Sequence, residues 1–289
     1  MAPDRMSFAV LGPGGVGGLL AALLSRAGDR VVVLHDSALR EIHVESARFG
    51  EFTAAVETAP RLAEPVDAVL VTVKATHLEE AVGRVPASAL GVGLVVPFLN
   101  GIEHVELLRS VYPADSVVPA AIRIETTKLA PGVIRHTSPF AVVDIGPRGE
   151  RIAARLRATG LDVRIKDDVK AMLWDKMAVL APMALLTTHQ RANVGEVRAR
   201  RHEDLVALVH EFAAVAAAEG VQIDPVANLG FIEKTPDTME TSMQRDQAAG
   251  RPLEIDALGG ALLRRAAKAG IDTPVTRRIV EDLQKRKSA

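Results

Sequence analysis

The spacing of apolar residues changes once along this chain, and that change limits its fold more than any other feature. Up to about residue 168, short β-branched runs alternate with stretches of helical pattern: SFAVLG, RVVVLHD, DAVLVTVK and GLVVPFLN, then SVVPAAIRIE, HTSPFAVVDIG and LDVRIKDD. Such alternation marks an α/β domain with a largely parallel sheet. From Asp168 onward the strand pattern stops. KAMLWDKMAVLAPMALLTTH, DLVALVHEFAAVAAAEGV and IDALGGALLRRAAKAG instead repeat apolar residues at intervals of three and four, the helical period. The expectation is an N-terminal α/β domain over residues 1–168 and an all-helical C-terminal domain over residues 169–289, each long enough for its own core.

Composition narrows the function classes. Apolar residues make up 48% of the chain, yet no apolar run approaches the roughly 20 residues that span a bilayer. The opening MAPDRMSF lacks a basic patch followed by an apolar segment and a cleavage site, so no secretory signal is expected and the cytoplasm is the expected compartment. The absence of cysteine removes disulfides, thiol nucleophiles and thiolate metal sites. No His-x-x-x-His pair is present, so no metal is expected, and His210 reads as a packed or partly exposed histidine of an apolar helix. A net charge of −1 with 3% aromatic residues offers no footprint for nucleic acid or a membrane surface. A small molecule is the expected partner.

The segment VLGPGGVGG points to which one. Gly12, Gly14 and Gly17 give the spacing GxGxxG, with Pro13, Gly15 and Val16 between them, directly after an apolar strand and before LLAALLSRAG. In that context Gly12 makes the tight turn, Gly14 lets the backbone approach a pyrophosphate and Gly17 lets helix and strand pack closely. This is the fingerprint of a Rossmann-type dinucleotide-binding domain; the bland alternative is a glycine-rich turn with no ligand. The second strand ends in His35-Asp36, where a carboxylate accepts hydrogen bonds from adenosine ribose hydroxyls and repels a 2′-phosphate. Asp36 therefore favours NAD over NADP, although Arg40, one turn further on, is a basic group within reach of a phosphate. A solvent-facing turn residue is the competing reading of Asp36.

Four further stretches add specificity: VTVKATHLEEAV around Lys74, VVPFLNGIEHVE around Asn100, LWDKMAVLAPMALL around Lys176, and SMQRDQAAGRPLEIDALGGALLRRAAKAGIDTP near the C-terminus. Together with the glycine loop these resemble the ketopantoate reductase family (2-dehydropantoate 2-reductases), from about Phe8 to the last helix. The resemblance implies reduction of a 2-oxo acid to the 2-hydroxy acid, with NADPH as the family's usual reductant and NADH favoured here by Asp36. Lys176 matches the family's catalytic lysine, Glu254 the glutamate of its Glu-Ile-Asp signature and Ser242 its substrate-binding serine. Asn100 and Lys74 match residues that contact substrate or cofactor. The chemistry is coherent: an alkoxide forming at a carbonyl needs a proton and a positive neighbour, and an ammonium partly desolvated on an apolar helix is a ready donor. Each residue also has an ordinary reading. Lys176 can lay its stem on apolar surface with its head in water, Glu254 can pair at the surface with Arg264 or Arg265, and Asn100-Gly101 is a common turn signal.

The chain departs from the family at two positions. Residues 176, 180 and 184 share one helix face, and where the family typically has asparagines this sequence has Leu180 and Ala184. A leucine offers no partner to a substrate hydroxyl or carboxylate, which favours a more hydrophobic 2-oxo acid, as in the NADH-dependent D-mandelate-type dehydrogenases that resemble this family. A second alternative is a dinucleotide-binding redox sensor without turnover. The alanine-rich helix ALVHEFAAVAAAEG suits either interdomain packing or a homodimer.

Overall fold

The computed structural model describes residues 5–288, so the first four residues of the stretch read for a targeting signal lie outside the described residues. The chain forms two compact units that divide between Met172 and Leu173, with the loop Asn100–Glu103 belonging to the second.

The first unit opens with β1 (Ser7–Leu11), α1 (Gly15–Arg26) and β2 (Arg30–Leu34). The strands β3 (Glu41–Ser46), β4 (Phe52–Ala55), β5 (Glu57–Ala59) and β6 (Ala68–Val71) follow. Two single turns, α2 (Leu78–Ala81) and α3 (Ala87–Leu90), lead to β7 (Leu94–Pro97) and α4 (His104–Val111). The unit closes with β8 (Ala120–Arg123), β9 (Thr126–Ala130), β10 (Val133–His136), β11 (Val142–Ile145), α5 (Glu150–Ala158) and β12 (Asp162–Ile165).

Five strands form a wholly parallel sheet in the order β5-β2-β1-β6-β7. Its central strands are buried on both faces, as their unbroken β-branched runs require. Strand order reverses at β1, and the C-terminal ends of strands at such a switch point are where open α/β sheets bind ligands. Helix α1, apolar on every side with residues 17–24 all buried, packs between this sheet and a second one, β4-β3-β10-β9. That second sheet was not evident from the sequence. Its strands carry exposed polar residues, EIHVES and TTKLA for example, and lack the continuous apolar signal of the first. The last three strand-like stretches also leave the parallel sheet and form β12-β11-β8, with β8 antiparallel to β11.

A buried ion pair ties this unit together. Asp29, between α1 and β2, accepts the Met6 backbone N–H at Oδ1 (2.9 Å) and Arg155 Nε at Oδ2 (3.1 Å), and Arg155 Nη2 lies 2.8 Å from the same Oδ2. Both side chains are almost fully buried, and Arg155 also donates to the Ala27 carbonyl at the end of α1 (3.2 Å).

The second unit is helical. Asp168 caps α6 (Val169–Gln190), its carboxylate accepting the Ala171 N–H at 2.8 Å. The helix runs through Pro182, whose ring removes one intrahelical hydrogen bond. Then come α7 (Val194–Arg200), opened by an Asn193–Glu196 capping box, α8 (His202–Ala218), α9 (Pro225–Lys234), capped by Asp224, and α10 (Ser242–Ala248). A π-helical turn at Asp256–Gly260 leads into α11 (Ala261–Ala269), and α12 (Pro274–Ser288) ends the chain. The buried Glu211 of α8 closes the start of α12 by accepting hydrogen bonds from the Val275 and Thr276 N–H groups (2.8 and 2.9 Å) and the Thr276 hydroxyl (2.6 Å). No described helix is long and apolar enough to cross a membrane.

Candidate active site

The glycine loop sits where β1 ends. Gly12 takes φ +98°, a left-handed conformation, and a Cβ there would lie 2.9 Å from the Val73 backbone nitrogen. Gly17 is crowded in another way: a Cβ would come within 2.3 Å of the Gly12 carbonyl and the Thr72 hydroxyl. Gly15 is held against Thr126 of β9. The protein's own packing thus explains these three glycines. It does not explain Gly14, whose φ of −79° suits any residue and whose Cβ would meet nothing within 4 Å. Open space beside a backbone at the N-terminus of a helix is what a pyrophosphate needs, so the loop fits a dinucleotide on its own geometry. Pro13 and Val16 complete the half-buried turn.

Asp36 follows β2 and is exposed, but it does not face solvent alone. Arg84, from the turn Val82–Arg84, grips it with both terminal nitrogens, Nη1 to Oδ1 at 2.8 Å and Nη2 to Oδ2 at 2.6 Å, and also donates to the Pro60 carbonyl at 2.8 Å. That hydrogen bonding holds the Asp36 carboxyl below its ordinary range. Arg40, the basic neighbour singled out from the sequence, is misplaced by the assumption of a helical turn: residues 37–40 are irregular and Arg40 leads into β3. The cation at Asp36 instead comes from 48 positions away. Lys74 lies half-buried three residues beyond β6, where its carbonyl starts a short helical turn.

In the second unit, Asn100 and Glu254 meet. The Asn100 amide donates to Glu254 Oε2 at 3.1 Å across 154 positions, and Glu254 is buried. The surface-pair reading of Glu254 therefore fails on burial, while Arg264 is bound to Glu103 and Asp256, and Arg265 to Glu219 at 2.5 Å. Gly101 turns the loop with φ +88°, its Cα facing the Ala257 carbonyl so closely that a Cβ would sit 2.7 Å from it. The π-helical turn accepts this backbone directly after Glu254, and such turns recur at functional sites because they displace side chains from helical register.

Lys176 occupies the second turn of α6, half-buried between the buried Trp174 and Met177. Leu180 is half-buried and Ala184 fully buried, so the face continuing from the lysine is apolar. Thr187 lies on this same face, three turns from Lys176, and meets Thr241 at 3.0 Å between hydroxyls. Thr241 caps α10 through the Gln244 N–H (3.3 Å), and Ser242 stands exposed beside it at the first helical position. The Thr187–Thr241 link carried no sequence signal, since two threonines 54 positions apart form no pattern. His210 is exposed on α8.

Comparison with known proteins agrees with the order of these parts along the chain. A family model described as ketopantoate reductase PanE/ApbA matches residues 8–150, and the model of its C-terminal part matches residues 168–287. The 2-dehydropantoate 2-reductase of Caulobacter vibrioides is 33% identical over 293 residues, covering 95% of this chain and 97% of that protein. Among solved structures, a PanE/ApbA family ketopantoate reductase from Ralstonia eutropha JMP134 superposes with a TM-score of 0.89 at 26% identity, covering 98% of this chain and all of the other. D-mandelate dehydrogenase, solved with NADH and anilino(oxo)acetate, has the same TM-score at 22% identity over 98% of this chain and 99% of its own, a likeness of fold. With a glycine loop after its first strand, an Asn100–Glu254 contact, and both halves matched by family models, the chain belongs to the ketopantoate reductase family.

Proposed function

We propose that this protein reduces 2-dehydropantoate to pantoate, a 2-oxo acid to its 2-hydroxy acid, with NADH preferred as reductant. The observation that carries the reading is the amide of Asn100 held on the buried carboxylate of Glu254. A carboxylate has about four lone-pair sites on its two oxygens, so Glu254 can accept from Asn100 and from a substrate hydroxyl as well. Residues 1–168 bind the nucleotide, and residues 169–289 carry the substrate chemistry together with Asn100. The dinucleotide, when bound, supplies hydride to the carbonyl carbon. Lys176 polarises the carbonyl through its cation and gives its proton to the oxygen as negative charge builds there. Glu254 and Ser242 fix the substrate, and Lys74 and Asn100 contact substrate or cofactor.

The NADH preference rests on Asp36. Its two-pronged bond to Arg84 uses one side of each carboxylate oxygen, leaving lone pairs for ribose hydroxyls. The Gly14 space makes a separate prediction. Gly14→Ala should melt at the wild-type temperature, because nothing in the fold opposes the added methyl, yet bind NADH about tenfold or more weakly. An unchanged dissociation constant would show that the cofactor does not lie against Gly14.

A specific observation favours a second reading, a preference for a larger, apolar 2-oxo acid. Leu180 and Ala184 extend the Lys176 face with no polar atom, and leaving one buried substrate group unpaired costs about 1–3 kcal/mol. Steady-state assays with NADH and NADPH, against 2-dehydropantoate and a panel of branched and aromatic 2-oxo acids, test both readings. Higher kcat/KM for 2-dehydropantoate with NADH is the expected result. Higher kcat/KM only for the larger acids would move the function to a mandelate-type dehydrogenase, equal or better use of NADPH would remove the Asp36 assignment, and no turnover of any acid would leave a cofactor-binding sensor.

A further inference from the structure

Arg264 of α11 binds two acidic residues that follow closely on Asn100 and Glu254. Its Nε and Nη2 donate to Glu103 (3.1 and 2.6 Å), three positions after Asn100. Its Nη1 and Nη2 donate to Asp256 (2.8 and 3.0 Å), two positions after Glu254. One guanidinium therefore grips two carboxylates, each by a two-pronged contact on a different edge, a geometry that only arginine supplies. These bonds hold its proton far more firmly than an ordinary arginine does.

The surroundings are shaped to this clamp. A Cβ on Gly260 would lie 2.3 Å from Asp256 Oδ1 and 3.3 Å from Arg264 Nη1, so the pair crosses a space kept clear by a glycine. Gly101 presses the loop backbone onto the Ala257 carbonyl, between the two gripped residues. From Asn100 to Glu103 the loop is thus fastened to the 254–264 segment at three places in succession: the Asn100–Glu254 hydrogen bond, the Gly101–Ala257 contact and the Glu103–Arg264–Asp256 clamp.

We propose that Arg264 is a positioning residue of the reduction: by locking Glu103 to Asp256 it sets the Asn100 amide against Glu254 in the geometry the substrate meets. This rests on the reading of Asn100 and Glu254 as substrate-binding and catalytic groups. The clamp is half-exposed, where ion pairs add little to stability. Its value lies in geometry, since a displacement of about 1 Å at a reacting group can cost about 100-fold in rate.

A double-mutant cycle between Arg264→Gln and Asn100→Ala tests the proposal in the full-length protein, with kcat/KM for the 2-oxo acid, NADH affinity and melting temperature all measured. Arg264→Gln is expected to lower kcat/KM by about 10- to 100-fold with NADH affinity unchanged. Arg264→Lys should not restore it, because an ammonium lacks the planar fork that makes a two-pronged contact to each carboxylate. Added to Asn100→Ala, the arginine substitution should cost no more than about twofold further, as expected when one residue acts through the other. Losses that multiply in the double variant, or full activity in Arg264→Gln, would overturn the proposal. Full activity in Asn100→Ala alone would instead refute the underlying reading of the site. Glu103→Gln, which loosens the same clamp from the loop side, gives a second variant should Arg264→Gln fold poorly, and it is expected to lower kcat/KM in the same direction.

Discussion

Replacing Lys176 by alanine should lower turnover of the 2-oxo acid by about 100- to 10,000-fold while leaving NADH affinity nearly unchanged. The helix carrying it is anchored independently of the lysine. Trp174 is buried, with its indole N–H donating to Glu219 at 3.2 Å, and Met177, Ala178 and Ala181 are buried as well. Removing the Lys176 side chain leaves this packing in place, so the helix should persist and melting should change little. On the proposed reading, what is lost is the proton donor to the forming alkoxide and the positive charge that polarises the carbonyl. Steady-state rates with a fluorescence titration of NADH separate these effects. Added methylammonium should return part of the rate to Lys176→Ala, since a small amine can occupy the space of the missing ammonium. A rate within tenfold of wild type would show that another group delivers the proton.

Arg155→Met should destabilise the protein by about 3–5 kcal/mol, the range observed when one partner of a buried ion pair is removed. The penalty comes from Asp29. Its carboxylate is fully buried, and the Met6 N–H that it also accepts does not neutralise a full negative charge. The Ala27 carbonyl at the end of α1 loses its arginine donor too. Methionine fills similar volume, so the loss is electrostatic more than a packing defect. Since a domain's whole stability is about 5–15 kcal/mol, the change should be plain in urea denaturation followed by circular dichroism. The double variant Asp29→Ala, Arg155→Met should recover part of the loss, because it removes the unpaired charge. A midpoint unchanged from wild type would mean that water reaches Asp29 in solution.

Most of what is legible in the amino-acid sequence rests on local signals. The shift from strand alternation to the helical period near Asp168 announced two architectures, and it did so because each period follows from backbone geometry alone. The glycine spacing and the strand before it were equally local, and Lys176 stood out because a charge interrupts an apolar helical stretch. Strands β3, β4, β9 and β10 escaped notice for a corresponding reason: their half-exposed, polar sequences form a sheet only because α1 and each other's edges are there to pair with.

The amino-acid sequence by itself determined the change from α/β to helical architecture, the glycine loop after the first strand and the residue types available for chemistry. Tertiary structure alone decided their partners. Asp36 meets Arg84 from 48 positions away, Asn100 meets Glu254 from 154 and Glu103 meets Arg264 from 161. No periodicity records such pairings, because they form when distant segments are brought together by burial of apolar surface elsewhere. Gly14 shows the same division at one position: its place in the motif is plain in the sequence, but that no protein atom explains it is visible only once the surrounding space is known.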